Sequence, residues 1–107
     1  MYNLVIYIPE THLEQVKNAL FLKGAGRMGD YDSCAWQTEG TGQYRPLENS
    51  HPFLGSRGKN STVKEFRVEM ICHDDILKDV LIELKRVHPY EEPAYHVYKI
   101  TTLDDLS

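Results

Sequence analysis

The chain is poor in cysteine, in basic charge and in long apolar runs, and each shortage removes a class of protein. Only two cysteines, Cys34 and Cys72, occur among 107 residues. They form no CxxC pair and no Cys/His spacing that suits a structural zinc site. Two such thiols, with no secretory leader ahead of them, point to a reduced, cytosolic setting. Twelve lysines and arginines stand against 16 aspartates and glutamates, a net charge of −4. Nucleic-acid binders that track phosphates carry a basic face, so none is expected as a partner. No apolar stretch approaches the roughly 20 residues that cross a bilayer, so no membrane is expected either. The apolar N-terminus is short and lacks a basic flank and a cleavage site, which suits a first strand better than a leader. Glycine is missing from both flanks, for all seven lie between positions 24 and 58. Backbone irregularity is therefore concentrated in the centre. The length suits one domain, residues 1–107, with one modest core.

What is present has a clear period on both flanks. Leu4, Val5, Ile6, Tyr7 and Ile8, bounded by Pro9, predict a central strand covered on both faces. Thr11 with Glu14 has the spacing of a capping box, so a helix is expected from about His12. Leu13, Val16 and Leu20 share its inner face, and Gly24 ends it. Residues 34–39 predict a second strand, Gly40-Thr41-Gly42 a turn, and residues 43–45 a short return strand. Residues 47–60 are rich in turn formers and read as a surface loop. From Val63 to Cys72 the residues alternate, with Phe66, Val68, Met70 and Cys72 inward and Glu65, Arg67 and Glu69 outward. Asp74 or Asp75 is expected to cap a second helix, whose stripe is Ile76, Leu77, Val80, Leu81, Leu84 and Val87. Pro89 stops it. Residues 94–100 form the last strand, and the polar tail 101–107 is expected to fray.

The order β-α-β-β-α-β predicts an α+β, ferredoxin-like sandwich. It consists of a four-stranded antiparallel sheet with two helices on one face and a glycine-rich hairpin and loop inserted. Its second sheet face needs a partner or a polar surface, and an apolar one would favour a homo-oligomer.

Four groups of residues carry chemistry. Gly24-Ala25-Gly26-Arg27-Met28-Gly29 matches G-x-G-x-x-G, but a helix precedes it and a strand follows. A dinucleotide site needs the reverse order, so a helix cap and tight turn is the better account. Gly26 and Tyr31 remain candidates for lining a ligand cleft, as does Gly42 in the second glycine-rich stretch. The prolines and glycines from Gly40 to Gly55 set backbone shape and suit a rigid lip. His88-Pro89-Tyr90-Glu91-Glu92-Pro93 offers an imidazole and two carboxylates. His88, Glu91 and Glu92 could hold a divalent metal ion, with His96, His51 or Glu69 as further donors. The alternative is that His88 and Tyr90 pack and hydrogen-bond while the glutamates face water. Cys34 is a candidate nucleophile if His88 lies near it, and otherwise a core residue. Cys72 belongs to the core.

Together these motifs resemble one family. Gly24 to Cys34, Gly40-Thr41-Gly42-Gln43-Tyr44-Arg45-Pro46, His51-Pro52-Phe53-Leu54-Gly55, Val68-Glu69-Met70 and His88 to Tyr95 are similar to a CutA-like domain. That domain is inserted in the longer, YqfO-type members of the Ngg-interacting-factor-three family, and the match runs from about Leu4 to Ile100. The resemblance implies a fold related to CutA and PII signalling proteins, and a trimer. CutA proteins are linked to divalent-cation tolerance and share a P-Y-E-x-P segment, here Pro89, Tyr90, Glu91 and Pro93. CutA lacks the glycine-rich centre. The parent family's metal-dependent, hydrolase-like core has no match here. His96 stands where the family pattern has Asp. The function expected is a non-enzymatic, oligomeric binding or regulatory domain. It would take a metal ion or small molecule in an intersubunit cleft lined by Gly26, Tyr31, Cys34, Gly42, His88, Tyr90, Glu91 and Glu92. The alternatives are a small enzyme using Cys34 or His88, and a purely structural trimerisation module.

Overall fold

The computed structural model describes residues 1–106; Ser107 lies outside them. The strands are β1 (Tyr2–Pro9), β2 (Trp36–Tyr44), β3 (Ser61–Cys72) and β4 (Tyr95–Lys99), and the helices α1 (Leu13–Leu22) and α2 (Leu77–Val87). All strand pairs are antiparallel, in the order β2-β3-β1-β4. The expected ferredoxin-like architecture is present.

β1 is central, and the reason is in its composition. Leu4, Ile6 and Ile8 are fully buried on the helix side, and Val5 is fully buried on the other. The core joins them to Val68, Met70 and Cys72 of β3, to Leu13, Val16 and Leu20 of α1, and to Val80 and Leu84 of α2. Each such side chain contributes about 1.5–3 kcal/mol when fully removed from water. Among the described residues no helix is long and apolar enough to cross a membrane.

Helix α1 ends as expected. Gly24 takes φ +101°, the Gly24 N–H donates to Phe21 C=O and the Ala25 N–H to Leu20 C=O. That pair of bonds is a Schellman cap, which needs a left-handed residue.

The helix starts depart from expectation. A 3-10 turn, Glu10–His12, precedes α1 with no side-chain cap, and Thr11 Oγ1 meets His12 Nδ1 instead of closing a box with Glu14. Asp74 and Asp75 lie in a second 3-10 turn and cap nothing; Asp74 pairs with the Met1 ammonium. In the tail, Thr102 and Asp105 close a capping box around the turn Leu103–Asp105.

The centre also differs. Gly40-Thr41-Gly42 makes no turn: β2 runs straight through it, begins at Trp36 and leaves Cys34 and Ala35 outside. An edge strand tolerates glycine because one side of its backbone faces solvent. β3 reaches back to Ser61, and its residues 61–64 pair with β2 alone, because β1 begins to pair at Glu65. The two strands thus project as an arm. The open sheet face is not apolar. It carries Trp36, Tyr7, Arg67, Glu69, His96 and Tyr98, with Asn3 donating to Glu69.

Candidate functional site

The segment after α2 is fastened to β1 by His88. Helix α2 stops because Pro89 follows, which holds His88 extended at φ −68°, ψ 135°. His88 is only 5% exposed. Its Nε2–H donates to Tyr7 C=O at 2.8 Å, and its Nδ1 accepts the Tyr90 N–H at 3.1 Å. A carbonyl can only accept and an amide N–H can only donate, so the ring is the neutral Nε2–H tautomer. Burial pushes its pKa down, the Tyr7 carbonyl opposes this, and nearby His12 adds to it. Tyr7 also donates its N–H to Ala94 C=O at 3.1 Å. Both ends of the segment are therefore tied to one residue of β1.

This clamp aims Tyr90 over the sheet. The Tyr90 hydroxyl donates to Glu65 Oε2 at 2.8 Å. The other carboxylate oxygen lies over Gly42, where an added Cβ would come within 2.1 Å of Oε1. Gly42 thus makes room for the charge. Burial, and then Glu65, push the Tyr90 phenol well above its ordinary range, and the same two causes raise Tyr44.

The loop 45–60 forms the far wall. Tyr44 donates to Leu54 C=O at 2.7 Å, Arg57 Nε to Ser50 C=O at 2.8 Å, and the His51 N–H to Glu91 Oε1 at 3.1 Å. Loop, arm and the 88–94 segment enclose a cavity of about 380 Å³, bordered by Tyr44, Phe53, Tyr90, Glu65, Glu91 and Glu92. Tyr7, Gln43 and Glu65 line both this cavity and the adjoining open sheet face.

The structure divides the expected site residues. Tyr90, Glu91 and Glu92 line the cavity, and Gly42 supports it from beneath Glu65. His88 positions the segment and has no free ring nitrogen to offer a metal. Among the described residues no three His, Cys, Asp or Glu side chains gather as a metal site, so His88, Glu91 and Glu92 form no preset ligand set. Glu69 is held by Asn3, and His96 packs edge-on to Tyr7 and Tyr98 on the open face.

Gly26 and Cys34 belong to the other end of the sheet. Cys34 N–H donates to Gly26 C=O at 2.8 Å, and Gly26 N–H to Ile71 C=O at 2.7 Å. Ile71 pairs with Asn3, whereas His88 is bound to Tyr7. Four residues of strand separate the two points, roughly 13 Å. Cys34 therefore does not meet His88, and its thiol donates to Asp32 C=O. Tyr31 is exposed beside that turn, bridged to Met28. The Cys72 thiol is pushed up to about 11, chiefly by burial and then by Asp75 and Asp74, as suits a core position.

Glu65, Tyr44 and Phe53 were not among the expected site residues. Alternation along β3 places Glu65 on the outer face correctly, but only the register with β2, which sets Glu65 opposite Gly40, lets its carboxylate reach diagonally over Gly42.

No family model matches the chain. It is 39% identical over 100 residues to the "GTP cyclohydrolase 1 type 2 homolog" of Halalkalibacterium halodurans, covering 94% of this chain and 27% of that protein. The Bacillus subtilis protein of the same name is 39% identical over 97 residues, covering 91% and 26%. The chain spans about a quarter of the length of these curated relatives. Among solved structures, a Bacillus cereus protein related to NIF3 superposes with TM-score 0.80 and 36% identity, over 94% of this chain and 26% of the other. CutA1 from Pyrococcus horikoshii superposes with TM-score 0.69 and 19% identity, over 96% and 86%. In fold, and with this likeness in sequence, the chain is a CutA-like domain resembling the one carried within NIF3-related proteins.

Proposed function

We propose that the chain is a non-enzymatic binding domain with a regulatory role in the cytosol. It works as a homo-oligomer, preferably a trimer, and takes its ligand in the cavity beside Tyr90. One observation carries this: the cavity opens onto the uncovered sheet face, at the root of an arm that has no third strand. A two-stranded ribbon is marginal in water on its own. The edge of β2 also presents unpaired backbone groups along nine residues. A second copy packed on this face supports the arm and closes the cavity into an intersubunit cleft. The name of one fold relative, the "Periplasmic divalent cation tolerance protein CutA" of Archaeoglobus fulgidus, is compatible with a binding role.

A divalent cation is the second reading: three carboxylates line the cavity, though among the described residues they do not gather as a ligand set and would have to be drawn together by the ion. Sedimentation equilibrium at micromolar concentration tests the assembly. It should return three times the 12.4 kDa chain mass, and a monomer would remove the intersubunit cleft.

A further inference from the structure

The cavity has a chemistry that selects one class of ligand. Four rings line it, Tyr7, Tyr44, Phe53 and Tyr90, and three of them gather closely: the Tyr90 centroid lies 5.8 Å from Tyr44 and 6.5 Å from Phe53, with interplanar angles of 57° and 47°. None is stacked flat on its neighbour, so π surface is left to the cavity. Glu65 on β3 and Glu91 and Glu92 on the 88–94 segment also line it, and among the described residues none of them is ion-paired. Their polar contacts are neutral donors, the Tyr90 hydroxyl for Glu65 and the His51 amide for Glu91. Arg45 is the one basic side chain on the lining among the described residues. Burial is the main cause of the upward push on both phenols, and the Glu65 carboxylate adds to it.

An anion is repelled here, and a neutral apolar ligand leaves Glu65 uncompensated. A bare divalent ion gains nothing from the rings and finds no gathered ligand set. Aromatic faces with a carboxylate behind them suit a cation that is large and weakly hydrated. We infer that the cavity binds a small organic cation, with an ammonium or methylated ammonium head among Tyr44, Phe53 and Tyr90, neutralised by Glu65. This rests on the binding-domain proposal and names its ligand class. Gly42 is the device that allows it, because any side chain there displaces the Glu65 carboxylate.

The test is a calorimetric titration of the assembled protein with choline and with 3,3-dimethylbutan-1-ol. The two share a shape and differ in charge. Choline should bind at least about tenfold more tightly. Glu65→Gln keeps an oxygen for the Tyr90 hydroxyl but removes the charge, and should erase that preference, whereas Tyr90→Leu should weaken both probes. If Glu65→Gln does not fold, Glu91→Gln on the exposed rim should reduce the preference in the same direction. Equal affinities, or no choline binding, would overturn the inference. Binding of zinc or manganese with choline silent would overturn it while keeping the binding domain. Silence toward both probes and both metals would overturn the binding domain as well.

Discussion

At the scale of single residues, His88 shows how a conspicuous side chain acquires its role from a distant partner. Its ring joins Tyr7, 81 positions earlier, to Tyr90, two positions later. Replacing it with leucine leaves a buried carbonyl and a buried amide without partners, which costs about 2–3 kcal/mol. Urea unfolding checks this. The pH dependence has a definite sign. Burial holds the folded-state pKa of His88 below its ordinary value of about 6.5. Between those two values the unfolded chain binds the proton and the folded one does not. The stabilising effect of His88 is thus complete above pH 7 and shrinks as pH falls through the folded pKa. The gap in stability between wild type and His88→Leu should narrow from pH 7 to pH 5; a gap that stays constant would contradict the clamp. The hexapeptide around His88 was legible from sequence as a landmark, and Tyr90, Glu91 and Glu92 as cavity residues. Their partners were not, because Glu65, Tyr44 and Phe53 reach them only through strand pairing and a long loop.

At the scale of elements, legibility followed locality. β3 and α2 carry their period in consecutive residues and β1 is an unbroken apolar run, so their burial could be read directly. β2 could not, because Gly40-Thr41-Gly42 has the composition of a turn and only its pairing with residues 63–65 of β3 keeps it straight. The cap expected of Asp74 failed for a related reason: Asp74 finds the N-terminal ammonium, a partner outside its own turn. The α1–β2 connection offers the sharpest test at this scale. Gly26 takes φ +76°, and an added Cβ would stand 2.7 Å from the Cys34 carbonyl oxygen and 2.9 Å from the Phe21 ring. The carbonyl cannot swing away freely, since the Cys34 N–H is bound to Gly26 C=O. Gly26→Ala should therefore cost about 2–4 kcal/mol, from left-handed strain plus the clash. Thermal unfolding that shifts by less than about 0.5 kcal/mol would mean that the turn relaxes and does not pin α1 to β3.

At the scale of the whole molecule, the shape is longer than one core requires. The radius of gyration is 15.2 Å and the extents are 52 × 23 × 22 Å, against about 13 Å for a compact chain of this length. The excess includes the arm of β2 and β3, which extends past the end of β1. A chain that orders so exposed a ribbon gains by covering it with another copy, and the cavity lies where that cover would close. On the proposed function, oligomerisation and ligand binding are parts of one design. Hydrogen–deuterium exchange of the wild-type protein at micromolar concentration, read peptide by peptide, tests this most directly. The account predicts that residues 41–44 and 61–64 exchange nearly as slowly as β1, because a neighbouring copy covers them. Fast exchange throughout the arm, with β1 still protected, would show a free ribbon and contradict the intersubunit site.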